Sequence, residues 1–282
     1  MRKRLRKILS EFLPEDELLY VYNSYDIVGD IAILRLTDKL MRYGQIIAEA
    51  LMGVHRNVKT VLAQTGPVCG DFRIRKLEYI AGENKTVTLH RESGCLFRVD
   101  VEKCYFSPRL SYERMRIAKQ VRDGEVVINM FAGVGCFSIV MAKHSNIGKV
   151  YSIDVNPAAF QYMQENVRLN RVYGKVIPVF GDAKNVIEER VCHVADRVLM
   201  PLPEKALKYL PYALLTLKKT GFIHYYDFEH ARKGENPIEK VKLKVAEKLE
   251  NLSVTFDFPF GRIVRSTGPN WYQVALDIAV KH

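Results

Sequence analysis

Val126-Val127-Ile128-Asn129-Met130-Phe131-Ala132-Gly133-Val134-Gly135-Cys136-Phe137-Ser138, with Val150-Tyr151-Ser152-Ile153-Asp154 following, is the stretch that decides the fold. A buried strand runs into a glycine turn and a helix, and a second strand ends in a carboxylate able to hold two ribose hydroxyls. The pattern is that of a nucleoside pocket. Ser138 stands where G-x-G-x-x-G wants its third glycine, which argues against a pyrophosphate pressed on a helix N-terminus. S-adenosylmethionine, an adenosine without phosphate, suits the pattern better than NAD.

Outward from this stretch, strands and helices alternate. The helix signals of Ser107-Pro108 open Arg109–Val121, followed by Val126–Met130, Gly135–Lys143, Val150–Asp154, Pro157–Asn170, Val176–Phe180, Arg197–Met200, Leu207–Leu217 and Gly221–Tyr226. Such alternation predicts a parallel sheet covered by helices. Ser253–Phe260 and Tyr272–Val280 are two strand-like runs with no helix between them, a terminal hairpin that matches the methyltransferase version of the doubly wound fold better than a dehydrogenase. Before Ser107 the pattern is short strands around one helix: Ile27–Leu36, helical Lys39–Leu51, Thr60–Ala63, Leu77–Ala81, Thr86–Arg91 and Cys95–Asp100, with turn residues at Gly82-Glu83-Asn84 and Glu92-Ser93-Gly94. The expected class is α/β: a Rossmann-like class I methyltransferase domain over 107–282, with a small N-terminal α+β domain over 1–106 that faces RNA or substrate.

Composition narrows the function. The 282 residues are 48% hydrophobic, enough for a large domain and a smaller one with a core, and exclude a disordered chain or a fibre. Net charge is +11, spread along the chain, which suggests a polyanion-facing surface with nucleic acid as first candidate. The basic start Met1-Arg2-Lys3-Arg4 has no long apolar run behind it, so no signal peptide is expected, and no stretch reaches membrane-spanning length. Five cysteines without C-x-x-C or Cys/His metal spacing read as reduced thiols in a cytoplasm, with no structural metal. A cytoplasmic monomer is expected.

Residues just after successive parallel strands converge on the ligand. They are Phe131, Ala132, Gly133 and Gly135, then Asp154 for the ribose, Gly181-Asp182 for the adenine amino group, and Pro201-Leu202-Pro203 as a rigid wall with free carbonyls. The wall sets Pro201 at the cofactor and Pro203 at a flat substrate base. An aspartate taken alone reads equally well as a helix cap. Leu110, Ile117 and Val121 form an apolar stripe in line with Glu113, a carboxylate that must be paired, to Arg109 or Arg116, or used as a base. N1 of guanine holds its proton at neutral pH, so methylating it needs such a base, and charge then builds on O6. In Asp71-Phe72-Arg73-Ile74-Arg75-Lys76, alternation turns Phe72 and Ile74 inward and leaves Arg73 and Arg75 on the opposite face, for an oxyanion, a phosphate or plain solvent. Tyr105 stacks on a base or fills core, Arg109 suits the methionine carboxylate, and His224-Tyr225-Tyr226 reads as core and pocket wall.

Taken together, Arg73 to Arg75, Leu77-Glu78-Tyr79, His90 to Gly94, Tyr105-Phe106-Ser107-Pro108-Arg109-Leu110, Glu113-Arg114, Phe131 to Gly135 and His224-Tyr225-Tyr226 resemble the archaeal and eukaryotic tRNA guanine-37 N1-methyltransferase family. The resemblance implies an S-adenosylmethionine enzyme acting on the tRNA anticodon loop, with Glu113 as general base and Arg73 as the O6 stabiliser. It also implies that Tyr105 lines the pocket while Asp154 and Asp182 hold the adenosine. The chain departs from the family at Asn129, usually Asp, and at Pro201, usually Asn. Subgroups with Pro-Leu-Pro resemble enzymes that also methylate C7 of the tricyclic wyosine precursor. The family often carries a further small N-terminal domain touching the tRNA body, and this chain is expected to start after it. Two alternatives are a wybutosine-synthesis aminocarboxypropyl transferase and, from another class, a non-catalytic tRNA-binding module.

Overall fold

The computed structural model describes residues 5–22 and 24–281, so the basic start at residues 1–4 lies outside the described residues. Contacts divide the chain into two compact units, Met1–Arg109 and Leu110–His282.

The N-terminal unit holds short helices α1 (Leu5–Leu9) and α2 (Glu15–Leu18), strands β1 (Asp26–Val28) and β2 (Ile31–Arg35), helices α3 (Asp38–Met41) and α4 (Gly44–Val54), and strands β3 (Thr60–Cys69) and β4 (Ile74–Gly82). These strands make one sheet in the order β1-β2-β3-β4, where β2 and β3 are parallel and the other pairs antiparallel. Leu5, Leu9, Leu34, Ile47, Leu51 and Val61 are among the residues that fill its core. The N-terminal helices thus seal a face whose strands alone leave it open, a role that Arg6 and Lys7 obscure in the sequence. The run expected as one strand over Ile27–Leu36 is broken at Gly29 (φ +57), because β1 must turn back on β2. β5 (Val87–Glu92) and β6 (Cys95–Asp100) form a separate hairpin across Ser93-Gly94, while Gly82-Glu83-Asn84 joins strands that do not pair.

The C-terminal unit begins with α5 (Ser111–Ala118). It continues as β7 (Val126–Asn129), α6 (Cys136–His144), β8 (Lys149–Asp154), α7 (Pro157–Leu169), β9 (Val176–Phe180), α8 (Ala183–Arg190), β10 (Ala195–Met200), α9 (Pro203–Thr216), β11 (Leu217–His230), α10 (Pro237–Glu250), β12 (Thr255–Gly268) and β13 (Trp271–Lys281). The seven-stranded sheet runs β12-β13-β11-β10-β7-β8-β9; the five strands β11 through β9 are parallel, β13 is antiparallel to β11, and β12 pairs antiparallel with β13 at the sheet's edge. This is the expected Rossmann-like methyltransferase fold. From β7, the next two strands step one way and β10 and β11 step the other, so the chain reverses between β7 and β10 and opens a crevice at their carboxyl ends. Helices α8 and α10 are additions to the sequence reading: Asp182 caps α8 and Asn236 with Pro237 opens α10, whose Val241, Val245 and Leu249 are buried. No helix among the described residues is long and apolar enough to cross a membrane.

Gly82 has φ +88, and a Cβ there would sit 2.0 Å from the Lys59 carbonyl oxygen. Gly82→Ala is expected to destabilise the N-terminal unit by about 2 kcal/mol or more, seen as faster hydrogen exchange at the β3 and β4 amides.

Candidate active site

The turn after β7 is built by two left-handed glycines, Gly133 (φ +56) and Gly135 (φ +89). A Cβ on Gly135 would meet Met163 and Ile139 at 3.1 and 3.2 Å. Gly133 N donates to Asp154 Oδ2 at 2.6 Å and Asn156 N to Asp154 Oδ1 at 2.9 Å, so the carboxylate at the end of β8 braces the glycine turn. Burial pushes the Asp154 carboxyl above the usual range, opposed by the amides of Asn156, Gly133 and Val155. Each oxygen retains acceptor capacity for a further donor. Phe131 stacks edge-on against Tyr209 at 5.3 Å, and the Tyr209 hydroxyl donates to Asp182 Oδ2 at 2.7 Å while Asp182 Oδ1 takes Lys184 N. Asp182 is therefore both a helix cap and an acceptor on the carboxyl edge. Half-buried Pro201 follows β10, and buried Pro203 is the first residue of α9.

Behind the turn, Asn129 is fully buried. Its Nδ2 donates to Ser138 Oγ at 3.1 Å, which the Ser152 hydroxyl also reaches at 2.7 Å. Asn129 Oδ1 has no hydrogen-bond partner among the described residues. A buried amide oxygen in that condition is costly unless a donor completes it. Ser138, the residue that breaks the glycine pattern, thus serves as the polar floor of the turn.

Glu113 lies on the buried stripe of α5 with Ile117, in line with buried Leu110 just before the helix, and is 1% exposed. Arg116 grips it, with Nη2 at 2.6 Å from Oε1 and Nε at 3.0 and 3.1 Å from the two oxygens, and the Tyr226 hydroxyl donates to Oε1 at 2.9 Å. The adjoining Nη1/Nη2 edge of the same guanidinium binds Asp277 at 2.6 and 3.0 Å, with Nη2 shared between the two carboxylates. Gln120 Nε2 also donates to Asp277, and His224 Nδ1 stands 2.6 Å from its Oδ1. Because Arg197 Nη1 can only donate, at 2.7 Å, His224 Nε2 must accept; the imidazole is neutral and gives its Nδ1 proton to Asp277. Glu125 closes the chain on Arg197 at 2.9 Å. Burial and the facing Arg197 and Arg116 lower the His224 pKa against the pull of Asp277. Asp277 itself, despite burial, is held far below the carboxylate range by His224 and Arg116.

In the N-terminal unit the alternation expected over Asp71–Lys76 is not observed. Arg73 has φ +54 and its amide bonds back to Gly70, so residues 71–73 are a turn and β4 starts only at Ile74. As a result Phe72 is exposed, and Arg75 is 8% exposed, donating to Asp26 and to the Phe106 carbonyl. Arg109 Nε shares Asp26 at 2.7 Å. The Arg73 guanidinium sits over the Tyr105 ring at 4.2 Å and that of Arg75 at 5.9 Å from its centroid. The pairing of Glu113 with Arg116, one of the two partners that spacing offered, is realised. Tyr209 and Asp277 escaped the sequence reading, and Tyr226, read there as core and pocket wall, is in addition a hydrogen-bond donor to Glu113; Asp277, a lone carboxylate within Val274–Val280, was the available signal.

Comparison with known proteins places these features among relatives. A TRM5/TYW2 methyltransferase domain matches residues 88–254, and a TYW2 N-terminal domain matches residues 5–86. The chain is 38% identical to the Pyrococcus abyssi tRNA (guanine(37)-N(1))-methyltransferase Trm5b over 95% of its own length and 78% of the relative's. It is 38% identical to the Saccharolobus solfataricus tRNA 4-demethylwyosine(37)-methyltransferase Taw21, over 92% and 94%. Among solved structures, aTrm5 in complex with tRNALeu gives a TM-score of 0.84 at 36% identity, covering 99% of this chain and 78% of that one. Methanocaldococcus jannaschii TYW2 in complex with AdoMet gives 0.67 at 30%, covering 92% and 100%.

A histidine kept neutral by the fold stabilises it fully above the unfolded pKa of about 6.5 and less as pH falls below it. The melting temperature is therefore expected to drop from pH 7.5 to 5.5, and His224→Asn, though less stable at pH 7.5, to show a shallower drop. A variant with the wild-type slope would exclude His224 as its source.

Proposed function

The chain belongs to the TRM5/TYW2 methyltransferase family, and from that premise we propose that it transfers a methyl group from S-adenosylmethionine to N1 of guanosine 37 in tRNA. The observation that carries the reading is the state of Glu113. Its Oε1 is taken by Arg116 and Tyr226, whereas Oε2 accepts only from Arg116 Nε, and Arg262 Nη1 comes no nearer than 3.9 Å. A lone pair on Oε2 is left to receive the proton that guanine N1 must lose. Tyr226 stays a hydroxyl donor because burial pushes its phenol well above the ordinary value. Asp277 is a positioning residue: by holding the Nη1/Nη2 edge of Arg116 it fixes the plane in which Glu113 presents Oε2.

The residues of the glycine turn fit the cofactor. Asp154 would hold the ribose, Asp182 the adenine amino group, and the backbone of Gly133 and Gly135 the methionine part, with Phe131, Ala132 and Pro201 as apolar walls. Asn129 Oδ1, buried and lacking a donor, suits an ammonium group. When bound, S-adenosylmethionine supplies an electrophilic methyl group. Arg73 is the cation assigned to charge developing on O6, Tyr105 the ring beside it, and Pro203 a rigid surface for the base. A second reading, methylation of C7 in the tricyclic wyosine precursor, is supported by an identity to Taw21 of 38%, the same as to Trm5b.

Incubation with S-adenosylmethionine and two tRNAs, one with plain guanosine 37 and one with the tricyclic base, should give a methyl mass shift on the first by nucleoside mass spectrometry. A shift on the second alone would select the second reading, and an aminocarboxypropyl shift would overturn both. Glu113→Gln is expected to slow guanine methylation by about a hundredfold or more while cofactor affinity persists; equal loss of both would make Glu113 structural. Asp154→Ala should raise the cofactor Kd at least tenfold by equilibrium dialysis, about the value of one charge-assisted hydrogen bond.

A further inference from the structure

β11 has fourteen residues and its neighbour β10 has six. Their pairing ends at Met200↔Tyr225, yet β11 continues to His230, paired with β13 from Ala275 to Trp271, and β12 runs alongside as far as Gly268. Five residues at about 3.3 Å each carry this three-stranded ribbon roughly 17 Å past the carboxyl end of β10. It projects from the same edge of the sheet that carries Phe131–Gly135 and Pro201.

The tip is chemically distinctive. Gly268, Pro269 and left-handed Asn270 (φ +59) make the turn, and the Asn270 carbonyl accepts from Ala231 N, which ties the segment after β11 to it. Trp271, the one tryptophan in the sequence, is 47% exposed there, with its ring in edge contact with His230 at 5.4 Å. Arg232 and Lys233 follow at once, both exposed; neither side chain forms an ion pair among the described residues, and the Arg232 amide donates to Glu235 Oε2 at 2.7 Å. The carboxylates nearby are already matched: Asp227 by Lys244, Glu229 by Lys240 and Lys244, Glu235 by Lys240. Exposed positive charge and an open indole thus coincide on a rigid projection.

We propose that this tip docks an unpaired segment of the RNA substrate, with Trp271 stacking on one base and Arg232 and Lys233 meeting the flanking phosphates. The inference rests on the tRNA reading above. An indole offers a sequence-tolerant platform for an unstacked base, and separate cations track the backbone that carries it. A duplex has no base free to stack, so the surface selects a loop.

The sole tryptophan makes the test direct, since intrinsic emission reports on Trp271 alone. On titration with an unmodified tRNA transcript bearing guanosine 37, emission is expected to be quenched saturably, with the Kd found by filter binding. Trp271→Ala should weaken RNA binding about tenfold or more with an unchanged cofactor Kd, and Trp271→Phe should recover most of the loss. Replacing Arg232 and Lys233 with Gln should lower the salt dependence of RNA binding by about one to two counterions. Unchanged emission during measured RNA binding, or wild-type affinity in Trp271→Ala, overturns the docking surface alone. Absence of RNA binding by the wild-type protein overturns the substrate reading and the surface with it. Emission that varies with protein concentration and not with RNA would assign the tip to a second copy of the chain.

Discussion

One guanidinium shared by two carboxylates organises the catalytic half of this molecule. Arg116 binds Glu113, three residues away on its own helix, and Asp277, 161 residues away on β13. A buried ion pair repays its desolvation only where every remaining polar group is satisfied. Here the requirement propagates: Asp277 needs His224, His224 needs Arg197, and Arg197 needs Glu125. The result is a rigid polar spine from the amino end of β7 to the first turn of α5, inside a sheet whose buried residues are mostly apolar. Its value lies in orientation more than stability, since an apolar replacement of equal volume would hold the strands together without presenting a carboxylate.

The second constraint is topological. Because the strand order reverses at β7, four short connections leave the same sheet edge, and the residues they carry have no freedom to be elsewhere. The brace from Asp154 to Gly133 adds to this, for the left-handed turn is held by the carboxylate at the end of β8. Asn129, Ser138 and Ser152 then form a small polar floor in which one acceptor is left open.

Much of this was readable from residue order. Apolar runs ending in glycine or carboxylate mark parallel strands, and that signal is strong wherever strands are buried on both faces, as at β7, β8 and β10. It weakens where lysine and glutamate dilute a helical stripe. Helix α10 illustrates this, with Ile238, Val241, Val245 and Leu249 at proper spacing among seven charged neighbours. Alternation misled at Arg73 and Arg75, since a left-handed residue shifts which face each side chain takes. The partners of Glu113 were half visible: Arg116 lies on the same helix, whereas Asp277 and Tyr226 reach it only through the sheet register, which no local window contains.

That register has a temporal side. β13 is the last strand in the sequence and inserts between β11 and β12, so the pairing that delivers Asp277 to Arg116 spans most of the C-terminal unit. During synthesis the parallel core can form while Glu113 still lacks its far support. The far support of Arg116, and with it the orientation of Glu113, therefore arrives with the final strand, after the crevice at the carboxyl ends of β7 and β10 already exists.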